Sequence, residues 1–174
     1  MNRAEMTEIF AVLMLAYPNA EMFKAPNQQA LKEKLAPTIT LWTTCLRDMD
    51  FWTGQQAVVR VCQTCKYPPT IAELREAAEA VLRDMRAEIR DAYFWARNEV
   101  RLLKMREGKT LEDAYGRLPA RTRKTIDAMG GMEAFLPPGS GMFNMAGFEQ
   151  TYEQLLRANP IGLPGETAEQ KKLM

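Results

Sequence analysis

The sequence predicts an all-α protein: a small helical bundle followed by a long helix and shorter C-terminal helices. Apolar residues recur every three or four positions through most of the chain, as on the buried face of an amphipathic helix, and no segment has the pattern of a strand ladder. Capping residues and prolines mark the helix boundaries. The clearest boundary is the sequence KYPPTIAEL at residues 66–74, where two prolines end one helix and Thr70 with Glu73 forms a capping box for the next.

The N-terminal helical bundle is predicted over residues 1–80. Its first helix runs from Ala4 to Tyr17, because Asn2 can cap the start and Pro18 stops the end.

The next part of the bundle is predicted to contain two separate helices. A short helix is expected over Gln28–Leu35. Because proline suits the first turn of a helix better than its middle, Pro37 predicts a new helix there, ending near Arg47. Asp48 and Asp50 lie two positions apart in the following turn. Aspartate is common in turns because its side chain bonds the local backbone, so we interpret both as turn or capping residues and not as a catalytic pair.

A further helix is predicted from residue 53, because Thr53 and Gln56 have the spacing of a capping box. Its buried side is expected to carry Ala57, Val58, Val61, Cys62 and Cys65. The last two form a CxxC sequence, but no second CxxC and no histidine completes a zinc set. Cys45 makes the cysteine count odd, which argues against a disulfide framework. We interpret the CxxC cysteines as small apolar residues of the helix.

A long connecting helix is predicted over residues 71–107. No proline or glycine interrupts its apolar stripe until Gly108, and at a rise of 1.5 Å per residue it is roughly 50 Å long. A small domain is about 25–30 Å across, so the far half must pack on a second subdomain of this chain, on another copy, or on a partner. Three consecutive aromatic residues at 93–95 point in different directions, which predicts that several faces are covered.

The C-terminal part is predicted to be a short helical region at 108–136, a linker at 137–142, a docking helix at 143–158 and a disordered tail at 159–174. The docking helix has an apolar face of Phe143, Met145, Phe148, Tyr152, Leu155 and Leu156. Two interpretations are open. The helix folds back onto the long helix, or it docks in a partner's groove through anchors spaced by three or four residues.

Four basic residues cluster around Pro119: Arg117, Arg121, Arg123 and Lys124. No acidic residue interrupts the chain from Gly116 to Ile126. A solvated helix face explains such a cluster, and a contact with nucleic acid or an acidic partner is the alternative.

Composition narrows the classes of function. Lysine and arginine number 23 against 22 acidic residues, so the net charge of +1 gives no overall attraction to nucleic acid or an anionic membrane. There is no histidine and no Walker sequence, and no metal set is complete. We therefore expect a protein that is not an enzyme, with no catalytic residues, no cofactor and no bound metal. No apolar run is long enough to span a membrane, so a cytoplasmic protein is expected.

Residues from about Thr7 to Ala77 resemble a phage family that loads and inhibits a replicative helicase. Three features carry the resemblance, in the same order and with similar spacings. They are AYPN at 16–19 after an apolar helix, LW-x-x-x-L-x-DMDF at 41–51, and an AVV helix at 57–59 followed by YPPTIAEL at 67–74. More weakly, the sequence F-x-x-x-Y-x-x-LL at 148–156 is similar to the ending of such phage replication proteins.

The resemblance implies a small helical adaptor without an ATPase of its own. Such an adaptor binds a DnaB-like hexameric helicase, holds it inactive, and passes it to an origin-binding replication initiator. If the chain is phage-encoded, it acts in the host cell cytoplasm. The candidate partner-binding residues are Phe148, Tyr152, Leu155, Leu156, Trp42 and Tyr67. Whether the protein touches DNA directly is left open.

The alternative function is a phage assembly chaperone or scaffold that self-associates. The uncovered length of the helix at 71–107 suggests this second hypothesis, since a homo-oligomer would cover it.

Overall fold

The computed structural model describes residues 1–103, 108, 110–139 and 141–158. Those residues form helices and connecting turns without a strand, so the all-α prediction is confirmed. The helices are α1 (Arg3–Ala16), α2 (Gln28–Cys45), α3 (Phe51–Thr64), α4 (Ile71–Leu102), α5 (Leu111–Gly116), α6 (Ala120–Ala128), α7 (Met132–Phe135) and α8 (Met145–Ala158), with a 3₁₀ turn at Glu21–Phe23. The chain divides into two compact units, Met1–Asp84 and Met85–Met174.

The first unit packs α1, α2, α3 and the beginning of α4 around one apolar core. The predicted cap of α1 is confirmed: Asn2 Oδ1 accepts from the Glu5 amide at 3.0 Å, and Glu5 Oε2 accepts from the Asn2 amide at 2.7 Å. Within the core, the rings of Phe10 and Trp42 meet edge to face with their centroids 5.1 Å apart. Leu74 is fully buried and brings α4 into the same core.

The predicted break at Pro37 is wrong, because α2 is one helix with the proline inside it. Leu35, Ile39 and Trp42 are buried along one side of α2, while Pro37 is exposed. Burial of that apolar side continues on both sides of the proline. The free energy gained by this burial therefore outweighs the cost of placing a proline inside the helix, where it lacks an amide donor and crowds the carbonyl of the preceding turn.

The predicted capping box at Thr53 and Gln56 is also wrong, because α3 begins at Phe51 and its N-cap lies three residues before Thr53. Asp50 is the N-cap and accepts hydrogen bonds from the Thr53 amide at 3.0 Å and the Thr53 hydroxyl at 2.7 Å. Aspartate competes well for this position, and here its carboxylate takes both donors of Thr53. The interpretation of Asp50 as a capping residue is confirmed.

Helix α4 opens with the predicted capping box. Thr70 Oγ1 accepts from the Glu73 amide at 3.2 Å, and Glu73 Oε2 accepts from the Thr70 amide at 2.7 Å. The helix was expected to reach residue 107, but residues 104–107 lie outside the described part of the chain.

The second unit contains the C-terminal part of α4 and helices α5–α8, and its aromatic core is formed by rings from α4, α7 and α8. Tyr93 of α4 contacts Phe135 at 6.0 Å and Phe148 at 5.7 Å between ring centroids. Gly130 and Gly131 have φ values of 105° and 91°, which glycine adopts readily, and they turn the chain from α6 into α7. The far half of the long helix packs within a second subdomain of this chain, which is one of the three coverings expected.

Two sequence expectations for this unit need correction. The last helix begins at Met145 and not at Phe143, because the Asn144 side chain accepts from the Gly147 amide at 3.0 Å and caps it. Residues 93–95 are not all covered: Tyr93 is buried, but Phe94 and Trp95 are 58% and 46% exposed. The predicted linker includes Ser140, and the predicted tail is residues 159–174; these residues lie outside the described part of the chain.

Candidate partner-binding surfaces

An apolar groove of about 520 Å³ lies between α1 and α2 in the first unit. We call it the α1–α2 groove. Its apolar lining comes from Phe10, Ala11, Met14, Leu31, Leu35, Ala36 and Ile39, and its polar lining from Arg3, Thr7, Gln28, Gln29, Lys32 and Glu33. The Arg3 guanidinium donates to the Thr40 hydroxyl at 2.9 Å, which ties the two helices together beside the groove. Concave, mainly apolar surfaces with a few polar groups are typical binding sites.

Trp42 lies beneath this groove and not on its surface. Its side chain is buried, and its ring packs against Phe10, which lines the groove. Substituting Trp42 therefore disturbs the shape of the groove through Phe10. A direct partner contact by Trp42 stays a prediction.

Tyr67 occupies the corner between α3 and α4 and is 71% exposed. The Lys66 ammonium lies 5.8 Å from the centre of its ring, within cation–π range. An exposed aromatic side chain at a rigid, proline-flanked corner is accessible to a partner. Its assignment as a partner-binding residue stays a prediction.

The structure places Phe148 and Tyr152 of α8 inside the second unit. Phe148 is fully buried and contacts Phe135 at 5.6 Å between ring centroids, and Tyr152 is 3% exposed. Leu155 and Leu156 are half-buried. The helix thus folds back on its own unit, which is one of the two interpretations left open by the sequence. A partner can reach Phe148 and Tyr152 only if α8 leaves this position.

A polar network holds α8 in the second unit. Tyr152 donates a hydrogen bond to Glu88 Oε1 at 3.0 Å, and Arg121 Nη1 lies 2.5 Å from the same oxygen. Burial, and then the neighbouring Glu88 carboxylate, raise the pKa of the Tyr152 hydroxyl well above its ordinary value of 10.0. The network joins α4, α6 and α8 through three side chains.

The basic cluster around Pro119 is not one uniform surface. Arg121 is committed to Glu88, whereas Arg117 and Lys124 are exposed and Arg123 is half-buried. Three of the four side chains therefore reach the surface, and the fourth is held in an ion pair with Glu88. Their contact with nucleic acid or an acidic partner stays a prediction.

The cysteines offer no built reactive site among the described residues. Cys45, Cys62 and Cys65 are free and half-buried. Burial raises the pKa of the Cys62 thiol, which disfavours the reactive thiolate. Cys65 caps the end of α3, and its carbonyl accepts from the Tyr17 hydroxyl at 3.1 Å. Within the described ranges, no three cysteine or acidic side chains are placed to hold a metal ion.

Sequence reasoning missed the α1–α2 groove. The available signal was the continuous apolar run at residues 9–16. Eight consecutive apolar residues occupy every side of a helix, which is more apolar surface than a single buried face requires. The second helix of the groove, α2, was not recognised because the predicted break at Pro37 divided it into two short helices.

The first unit is an all-helical domain with an apolar groove between two helices, a geometry suited to binding a partner's helix. Residues 1–75 match the family model for the N-terminal domain of a phage protein that loads and inhibits the DnaB helicase. The family resemblance found in the sequence is confirmed over those residues. That family is regulatory rather than catalytic. No curated protein and no solved structure matches the chain.

In the part of the chain that the structure describes, no helix combines the length and apolar character needed to cross a bilayer.

Proposed function

We propose that this protein is a phage replication adaptor that binds a DnaB-like helicase, restrains it, and delivers it to an origin-binding initiator. The observation that carries the proposal is the match of residues 1–75 to the N-terminal domain of a phage helicase loader and inhibitor. The adaptor would act by occupying surfaces of its partners, without hydrolysing a nucleotide itself. Its place of action would be the cytoplasm of the host cell.

The α1–α2 groove is the surface at which we expect the first unit to engage one replication partner. It lies entirely within the matched residues, since its lining runs from Arg3 to Ile39. An apolar floor with polar groups beside it suits an amphipathic helix, which would insert anchors three or four residues apart. Such interfaces depend on a few apolar side chains buried in a pocket, so filling the groove should abolish binding.

Ala11 allows a direct test of the groove. It is exposed and lines the groove, so Ala11→Arg places a long charged side chain there without removing a core contact. Val12→Arg is the matched control, because Val12 is the next residue of α1, is 42% exposed and does not line the groove. The full chain and both variants are tested for co-elution with the cognate helicase and, separately, with the initiator.

We expect the wild-type chain and Val12→Arg to bind both partners and Ala11→Arg to lose one of them. Loss of unwinding by the helicase in the presence of the wild-type chain would show inhibition. Absence of any helicase complex with the wild-type chain would refute the proposed function. Equal binding by both variants would exclude the groove while leaving the function standing.

Helix α8 is the second surface that we propose, with Phe148, Tyr152, Leu155 and Leu156 as helicase anchors. Because Phe148 and Tyr152 are buried, this contact requires α8 to exchange its place on the second unit for a groove of the helicase. The double variant Phe148→Ala, Tyr152→Ala is compared with Phe135→Ala, which opens the same aromatic core from α7. If the double variant loses helicase binding and Phe135→Ala keeps it, the result supports α8 as an anchor. Unchanged helicase binding by the double variant would refute that role, and equal loss in both variants would assign the effect to folding of the unit.

Self-association through the long helix stays the alternative proposal, although part of that helix is covered within the chain itself. The second half of α4 carries buried side chains, including Ile89 and Tyr93, that pack within the second unit of the same chain. A stable homo-oligomer without affinity for the helicase, measured by light scattering, would support it.

A further inference from the structure

Arginines line one face of α4 in the second unit. Arg86, Arg90, Arg97 and Arg101 fall at intervals of four, seven and four residues, with Phe94 between the middle pair. At 3.6 residues per turn all five side chains lie within about 80° of the helix circumference, in a row roughly 22 Å long. We call this surface the arginine row. Phe94 is 58% exposed at its centre, although phenylalanine is usually buried.

The acidic residues of the same helical segment lie on another arc. Glu88, Asp91 and Glu99 centre about 140° around the helix from the arginine row. Glu88 is bound by Arg121 and Tyr152 on that other side. Charge on this segment is nearly balanced in sum but separated in space, and the arginine row is therefore a positive surface.

Arg90 of the row makes a weak ion pair with its neighbour. Arg90 Nε is 3.8 Å from Asp91 Oδ1, and their side chains are 72% and 77% exposed. Exposed pairs at this distance contribute little and are readily exchanged for another anion. Arg86 and Arg101 are exposed, and Arg97 is half-buried. These guanidinium groups can therefore turn towards an incoming polyanion.

We propose that the arginine row binds single-stranded nucleic acid. Guanidinium groups match phosphate oxygens in forked geometry, and a row of four follows a charged backbone. The exposed Phe94 ring offers a stacking surface for a base between the two pairs of arginines. Stacking needs an unpaired base, because the bases of a duplex are already stacked on each other. The combination of phosphate-binding groups with a central aromatic selects a single strand over a duplex, an acidic protein or an anionic bilayer.

The test measures fluorescence anisotropy of a labelled oligothymidylate of about 20 nucleotides, a length that covers the row with several phosphates to spare. The full chain is compared with a triple variant, Arg86→Gln, Arg90→Gln, Arg97→Gln. A second triple variant, Arg117→Gln, Arg123→Gln, Lys124→Gln, removes the same charge from the cluster around Pro119 and serves as the control. Phe94→Ala is compared with Trp95→Ala, the neighbouring aromatic that is also exposed but lies outside the row.

We expect the wild-type chain to bind the oligonucleotide with an affinity that falls steeply as the salt concentration rises. The first triple variant should bind at least tenfold more weakly, and its affinity should depend less steeply on salt. Phe94→Ala should weaken binding by about fivefold or more, and Trp95→Ala should leave it unchanged. Four outcomes would overturn the proposal: no binding by the wild-type chain, an equal or larger loss in the control triple variant, equal affinity for a duplex of the same length, or tighter binding to anionic vesicles or an acidic peptide. Helicase co-elution does not enter this test, so the adaptor function and the arginine row can fail separately.

Discussion

Tyr152 and Glu88 are joined by a hydrogen bond of 3.0 Å between the Tyr152 hydroxyl and Glu88 Oε1. Arg121 approaches the same carboxylate oxygen at 2.5 Å, so one acceptor connects α8 with α6 and α4. The Tyr152 hydroxyl is largely withdrawn from water, and its pKa is raised by that burial and by the Glu88 charge. Release of α8 would break this hydrogen bond and expose the aromatic core, so these contacts determine the free energy needed for release.

For Tyr152→Phe, we expect the free energy of unfolding to fall less steeply with rising alkaline pH than it does for the wild type. The folded pKa of Tyr152 exceeds its ordinary value of 10.0, so its protonated hydroxyl stabilises the fold fully below that value and progressively less above it. At neutral pH the variant should lose about 0.5–1.5 kcal/mol, the usual value of one hydrogen bond. Urea unfolding at intervals from about pH 9 to about pH 11 should show a smaller difference between variant and wild type as pH rises. A constant difference across that range would contradict the assignment.

Phe148→Ala is expected to lower the free energy of unfolding by about 3–5 kcal/mol, because it leaves a cavity against Phe135 and Tyr93. Phe94→Ala is the control, since it removes the same ring from an exposed position on α4 and should cost less than about 0.5 kcal/mol. Chemical denaturation followed by circular dichroism measures both. Similar costs for the two variants would mean that α8 is not packed as described.

Asp48→Asn is expected to destabilise the first unit at neutral pH and to have little effect in acid. Arg75 donates to both carboxylate oxygens of Asp48, at 3.0 and 2.7 Å, and also to the Cys45 carbonyl. The Arg75 hydrogen bonds hold the pKa of Asp48 below its ordinary value of 3.8. The stabilisation is therefore present above pH 3.8 and is lost as the pH falls through the lower, folded value.

The check on Asp48 is the difference in urea midpoint between wild type and variant, measured from neutral pH down to about pH 3. Glu8→Gln removes an exposed carboxylate from α1 and accounts for the general effect of lost negative charge. A difference that persists undiminished at the lowest pH would show that the ion pair with Arg75 is not its source.

Two prolines of the first unit are expected to respond in opposite directions. Pro37→Ala should stabilise the protein by about 1–2 kcal/mol, because alanine restores an amide donor inside α2 and Pro37 is exposed. Pro69→Ala should destabilise it, because Pro69 is buried and fixes the corner before the Thr70 cap of α4. Thermal unfolding of both variants tests this, and a lower midpoint for Pro37→Ala would contradict the account of α2.

Local chemistry made several elements predictable. The caps at Asn2 and Thr70 use side chains that satisfy amides three residues away, so neighbouring residues alone determine them. The apolar stripe of α4 likewise predicts one long helix. The family resemblance of the N-terminal part rests on the same kind of signal, since its motifs are turns and packing residues at set spacings.

The errors arose where two signals in the same segment compete, either local helix propensity against burial or two possible capping residues. Pro37 breaks a helix in isolation, but burial of Leu35, Ile39 and Trp42 along α2 outweighs that preference. Thr53 has a side chain suited to capping, but Asp50 is the N-cap and accepts hydrogen bonds from the Thr53 amide and hydroxyl. Both outcomes depend on free-energy differences of about 1–3 kcal/mol, which the sequence pattern does not rank.

The sequence by itself determined the all-α class, the long helix, the main caps and the likeness to a phage helicase-loader domain, because each depends on residues close together in the chain. Only the tertiary structure decided which apolar faces are exposed. It buried Phe148 and Tyr152, left Phe94 at the surface, and formed the α1–α2 groove between two helices whose apolar residues look equally buried in the sequence. The physical reason is that periodicity identifies a face that avoids water, whereas the partner that covers it is set by contacts between residues far apart in the chain.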